Sequence, residues 1–213
     1  KVIKLKFRTI TNILWLLKNH RQIKNWKKRN FSPPSPEFVK HQIIQNNNIE
    51  ESAWIETGTY YGDTTKILSR ISSKVISIEA DQDLYELAKK TFSNLENIEL
   101  MFGRSEDKLP EAFKKIKTYK NICIYLDAHL CNDHIKNKKT FGVEKDATPI
   151  KKELKLIEEQ KDKFNKINIL IDDIRLFNNK FQNYPKKDYL VNWCKENDFD
   201  WEIEQDIFIC KKI

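Results

Sequence analysis

Beyond Asn48 the chain alternates short apolar runs with longer amphipathic stretches. The apolar runs are SAWIET (52–57), KVISIE (74–79), IELMFG (98–103), NICIYLD (121–127) and INILIDD (167–173), and each predicts a strand. Helix-like stretches separate them, clearest in DQDLYELAKKTFSNL (81–95) and TPIKKELKLIEEQKDKF (148–164). Strand and helix in turn predict a parallel sheet with helices on both faces. The tail DFDWEIEQDIFICKKI (198–213) breaks this rhythm with two strand-like runs split by a polar Glu-Gln-Asp turn, which predicts a terminal hairpin. The expected fold is α/β and Rossmann-like: a doubly wound, mostly parallel seven-stranded sheet with a C-terminal antiparallel hairpin and a basic helical N-terminal extension.

That extension has its own pattern. In ITNILWLLKNHRQIKNWKKRNF (10–31), Ile10, Ile13, Leu14, Leu17, Ile23 and Trp26 recur at helical intervals among lysines and arginines. SPPSPEF (32–38) then breaks the chain, with Ser35 placed to cap a new helix and Pro36 to be its first residue. Two units are expected: the extension over residues 1–48 and a Rossmann-like domain over 49–213.

Charge sharpens this division. Residues 1–50 hold 11 Lys/Arg against 2 Asp/Glu, whereas the other 163 residues hold 28 against 29, so the net charge of +8 belongs to the extension. A docked helix with a solvated outer face accounts for it, and peripheral contact with an anionic membrane is the alternative. Nucleic acid is not expected as a partner, because the basic residues stay at one terminus and form no aromatic-and-basic stripe across the body. The four cysteines, at 123, 131, 194 and 210, form no C-x-x-C pair, as suits free thiols in a reducing compartment. No apolar run approaches the roughly 20 residues of a membrane span. A cytoplasmic location is expected, peripheral to a membrane if the basic segment binds lipid. The sequence opens on lysine rather than methionine, which leaves room for a removed or upstream segment carrying targeting information.

In an open α/β sheet, ligands bind beyond the carboxyl ends of the strands, so the residues there carry the candidate chemistry. After the first strand stands Glu56-Thr-Gly58-Thr-Tyr60-Tyr-Gly62-Asp-Thr64. The glycine spacing fails the G-x-G-x-x-G nicotinamide fingerprint, and Asp63 stands where a phosphate-gripping loop needs lysine. Glu79 ends the second strand, 21 residues after Gly58, where a carboxylate can accept both hydroxyls of a ribose. Ser105 and Glu106 follow the third strand and can meet the edge of a base or cap a helix. Asp127 and His129 end the fourth, and Asp172 and Asp173 the fifth. Three carboxylates on neighbouring strand ends repel one another unless a cation lies between them, and oxygen-only ligation suits magnesium or manganese. Helix capping by these aspartates is the bland alternative. His129, Cys131 and His134 lack standard zinc spacing.

Taken in order, Glu56-x-Gly58-x-Tyr60-x-Gly62, Glu79, GRSEDKLP (103–110), Asp127 and Asp172-Asp173 resemble class I S-adenosylmethionine-dependent methyltransferases. Within that class the chain is similar to the metal-dependent O-methyltransferases, the branch of catechol and macrolide-sugar enzymes. The resemblance covers residues 50–213. The phrases PPSPEFVK, ETGTYYGDTT, DATPIKKELKLI and DIFICKK also resemble a largely uncharacterised microbial group of such proteins, whose likeness reaches into the N-terminal part. The resemblance implies that Glu56, Gly58, Tyr60, Gly62 and Thr64 surround the methionine part of S-adenosylmethionine. It further implies that Glu79 holds the ribose, that Ser105 and Glu106 meet the adenine, and that Asp127 borders the cofactor. Asp127, Asp172 and Asp173 would bind Mg2+ or Mn2+. The catechol-type enzymes place a lysine base three residues after the first metal aspartate, where this chain has Leu130, so His129 becomes the candidate base. Residues 131–147 are expected to form a lid. The function expected is metal-assisted O-methylation of a small-molecule or saccharide hydroxyl, with homo-oligomerisation left open. A non-catalytic binding module and a nicotinamide-dependent Rossmann enzyme are the rival classes.

Overall fold

The computed structural model describes residues 19–128, 148–178 and 184–212, together with the backbone of residues 132–133 and 138–139. Backbone at 19–28 is helical. Then come α1 (Glu37–Asn46), β1 (Ala53–Thr57), α2 (Asp63–Ile71), β2 (Lys74–Glu79), α3 (Gln82–Thr91), β3 (Ile98–Phe102) and α4 (Ser105–Lys115). They are followed by β4 (Asn121–Leu126), α5 (Ile150–Glu158), β5 (Lys166–Ile171), α6 (Lys187–Glu196), β6 (Asp200–Glu204) and β7 (Ile207–Lys212). Residues 132–133 and 138–139 pair as a short antiparallel ladder.

The seven strands form one sheet in the order β3-β2-β1-β4-β5-β7-β6. The first five are parallel, and β7 pairs antiparallel with both β5 and β6. The strand order reverses between β1 and β4, which opens a crevice at their carboxyl ends. The tail hairpin forms as its pattern predicts, with Gln205 in the left-handed region (φ 54°) at the turn.

Strand periodicity sorts the core into two layers. Ile55, Ile76, Ile124 and Ile169 face one side, where Leu109, Leu154 and Leu190 of α4, α5 and α6 cover them. Trp54, Val75, Tyr125 and Leu170 face the other, packed with Ile43 and Ile44 of α1 and Leu68 of α2. Helix α1 therefore closes one face of the sheet, although it precedes the Rossmann-like pattern in sequence. It starts one residue later than its sequence suggests: Pro36 is the N-cap, Glu37 the first helical residue, and no side chain caps it. Pro36 keeps a non-helical ψ of 147°, so the helix begins after it and Ser35 is left outside the cap. Cys123, Cys194 and Cys210 are buried free thiols.

Candidate functional site

The β1–α2 turn is shaped by two glycines. Gly58 (φ 86°) donates its N–H to Ile78 O at 2.9 Å, and a Cβ there would lie 2.8 Å from Asp127 O. Only glycine lets this turn press against the end of β4. Gly62 (φ 82°) is the left-handed N-cap of α2, and a Cβ on it would strike the Phe92 ring. Between them Tyr60 also has positive φ, and its ring meets Tyr61 edge-on at 4.4 Å, with both rings exposed.

Glu56 lies below this turn with no exposed surface. Thr65 Oγ1 of α2 and Ser77 Oγ of β2 each donate to its Oε2 at 2.5 Å. Its Oε1 is buried without a hydrogen-bond partner. Burial pushes the Glu56 carboxyl up to about 8, against the two hydroxyl donors. Glu79 closes β2 from the other side: Oε2 accepts Tyr60 N–H at 2.7 Å and Oε1 accepts Asp81 N–H at 2.8 Å. Each carboxylate oxygen has a second lone pair, so Glu79 can brace the turn and still accept from a vicinal diol. Burial raises its pKa, while the backbone donors oppose the rise.

Ser105 and Glu106 open α4. Glu106 Oε1 accepts from Arg104 at both Nε and Nη2, and Lys152 Nζ approaches to 3.5 Å. Burial works against the Glu106 charge, but Arg104, the Glu106 backbone N–H and Lys152 together outweigh it and hold the carboxyl below its ordinary range. Ser105 faces a residue that sequence reasoning missed, Glu153 on α5. Glu153 follows Ile150 by three residues and precedes Leu154, so it shares the stripe that those side chains bury. The hydroxyls of Ser105 and Thr57 stand close enough to steady its charge. Yet Ser105 Oγ, Thr57 Oγ1 and Glu153 Oε1 each lack a hydrogen bond of normal geometry. Burial pushes the Glu153 carboxyl up to about 7. A carboxylate within an apolar helical stripe is the sequence signal that marks it.

The crevice beyond β4 and β5 is lined by Asp127, Glu153, Asp172, Asp173, Phe177 and Tyr184, among others. Asp172 is buried, and both of its carboxylate oxygens are engaged. Its Oδ2 accepts from Lys40 Nζ and from Tyr125 OH (2.6 Å), and its Oδ1 accepts Asp173 N–H at 2.8 Å. Asp173 (φ 58°) pairs through Oδ1 with Arg175 Nη1 at 2.5 Å, and Arg175 also pairs with Asp206. A divalent cation needs carboxylate lone pairs directed at one point. Here ammonium and guanidinium groups already engage two of the three carboxylates, and among the described residues no group of three His, Cys, Asp or Glu could hold a metal. The expected Mg2+ or Mn2+ ligation by Asp127, Asp172 and Asp173 does not fit this donor set. Repulsion between the carboxylates does call for a cation, but Lys40 and Arg175 supply it. Lys40 lies 132 residues before Asp172, out of view of strand-end reasoning. His129, Leu130, Cys131, His134 and the expected lid lie outside the described residues, apart from the short backbone ladder.

With this geometry the fold is that of the class I S-adenosylmethionine-dependent methyltransferases. No protein-family model matches the chain. It is 27% identical over 189 residues to ribosomal RNA small subunit methyltransferase A of Mycoplasmopsis pulmonis, covering 82% of this chain and 73% of that protein. A Staphylococcus aureus structure provisionally assigned as a caffeoyl-CoA O-methyltransferase superposes with a TM-score of 0.56 at 16% identity, over 95% of this chain and all of that one. A Clostridium thermocellum structure provisionally assigned as an rRNA methylase gives 0.53 at 13%, over 82% and 95%. The first of these relatives overturns the expectation against nucleic acid, and with it the expected small-molecule or saccharide acceptor. The mistaken step was to require positive charge across the body. A single basic helix can grip a phosphate backbone while the acceptor enters a cleft of different character.

Proposed function

We propose that this chain methylates RNA with S-adenosylmethionine as donor. The similarity to an rRNA methyltransferase across 82% of the chain carries this reading. The cleft supports it: carboxylates of Asp127 and Glu153 lie beside the rings of Phe177 and Tyr184. Carboxylates offer acceptors and no donors, which suits an amino group on a nucleobase, and aromatic rings suit the base itself. Arg21, Lys24, Lys27 and Lys28 are exposed on the helical backbone at 19–28, where they can meet phosphates.

Glu79 would hold the ribose diol of the cofactor, Gly58, Tyr60, Gly62 and Thr64 its methionine part, and Ser105 and Glu106 its adenine. The second lone pairs of the Glu79 oxygens fit such a ligand, and Glu56 braces the turn from beneath. The bound cofactor supplies a methyl group on a sulfonium sulfur, which becomes a thioether on transfer. Asp127 orients the acceptor amine by accepting one N–H, while Glu153, poised near neutrality, takes the proton released as the new bond to methyl forms. His129 is a second proton acceptor in this scheme. The test is transfer of labelled methyl from S-adenosylmethionine to RNA from cells lacking this protein, followed by nucleoside mass spectrometry. Label in one methylated nucleoside is the expected result. Label confined to protein or small metabolites would overturn the reading.

A further inference from the structure

The Lys40 contact has no part in the methyl-transfer scheme, yet it ties α1 to the carboxyl end of β5. Lys40 lies on α1 with Ile43 and Ile44 three and four residues further on, so all three share one helix face. The two isoleucines are locked into the core against Trp54 and Tyr125, and this fixes where the ammonium can reach. It meets Asp172 Oδ2, the oxygen that also accepts from Tyr125 OH. The Asp172 side chain is only 1% exposed. Burial works against the Lys40 charge, but Asp172, Asp127 and Asp173 together outweigh it and hold the ammonium protonated well above its ordinary range. A permanent positive charge thus sits among the carboxylates at the ends of β4 and β5.

We propose that Lys40 is the built-in cation of this cleft, a positioning residue that holds Asp172 and balances its neighbours where a related site would need a divalent ion. Two consequences separate this from a merely structural ion pair. The site should exclude divalent cations while Lys40 is present, and removing the ammonium should restore their attraction. Neither consequence depends on which acceptor is methylated.

The experiment is Mn2+ binding to the full chain, followed by electron paramagnetic resonance and by thermal unfolding with and without chelator. The wild-type protein should show no saturable Mn2+ site, and its melting should be indifferent to Mn2+ and to EDTA. Lys40→Ala should bind Mn2+ at least about tenfold more tightly than the wild type, since one opposing charge close to the site has gone. It should melt at a higher temperature with Mn2+ than without, and Lys40→Ala/Asp172→Asn should lose both effects. Lys40→Arg should behave as wild type. A saturable Mn2+ site in the wild type that Asp172→Asn removes would overturn the proposal, and so would a folded Lys40→Ala protein with unchanged Mn2+ affinity. If Lys40→Ala does not fold, Lys40→Gln, which keeps most of the side chain and removes the charge, takes its place with the same two outcomes.

Discussion

At the scale of single residues, the buried acids set the behaviour of the site. Glu56 is fully buried with Oε1 unpaired, and its carboxyl is pushed up to about 8 from 4.5. Between these two values the native chain holds a proton that the unfolded chain has released. Stability therefore falls as pH rises through this window, and it is flat with respect to Glu56 on either side. Glu56→Gln keeps an oxygen for Thr65 and Ser77 and cannot ionise. Denaturant unfolding over a pH series should show it gaining on the wild type across the window, by a few kcal/mol above pH 8 as an order of magnitude. Parallel curves would show that Glu56 does not titrate there. The placing of Glu56 and Glu79 at strand ends was legible, because position there follows from local pattern. Lys40 and Glu153 were not, because each gains its meaning from partners distant in sequence. Both nevertheless share one trace in the letters: a charged side chain within the apolar stripe of a helix.

At the scale of elements, alternation of apolar runs and amphipathic stretches located β1 to β5 within a residue or two at each end, and the polar turn at 205–206 located the hairpin. Strand order was less legible, since no local pattern requires β7 to insert between β5 and β6. That placement follows from burial: Phe208 and Cys210 face one core layer while Ile207 and Ile209 face the other, and such a strand needs a neighbour on each edge. Helix α1 is the instructive miss. Its basic surroundings suggested an appendage, yet Ile43 and Ile44 belong to the same cluster as Trp54 and Tyr125. Ile44→Ala should consequently destabilise the whole domain by about 2–5 kcal/mol, as for an aliphatic side chain deleted from a packed core. Hydrogen exchange should then report faster opening in β1 and β4 as well as in α1. Loosening confined to α1 would mean that the helix is an appendage after all.

At the scale of the whole molecule, charge and chemistry are segregated. The crevice at the ends of β4 and β5 is lined by Asp127, Glu153, Asp172 and Asp173, whereas the excess positive charge lies in the first 50 residues. On the proposed function, RNA binding should be governed by the basic helix and target choice by the cleft. Arg21, Lys24, Lys27 and Lys28 are all exposed. Replacing these four by glutamine should weaken binding of single-stranded RNA and flatten its dependence on salt. Each phosphate contact contributes roughly 0.7 to the slope of log affinity against log salt, so loss of all four should reduce that slope by about 3. Affinity for S-adenosylhomocysteine, measured by calorimetry, should stay the same, because none of the four residues is among those proposed to hold the cofactor. An unchanged salt slope would place the RNA contact elsewhere on the surface. A parallel loss of S-adenosylhomocysteine binding would show instead that the substitutions disturbed the fold through α1.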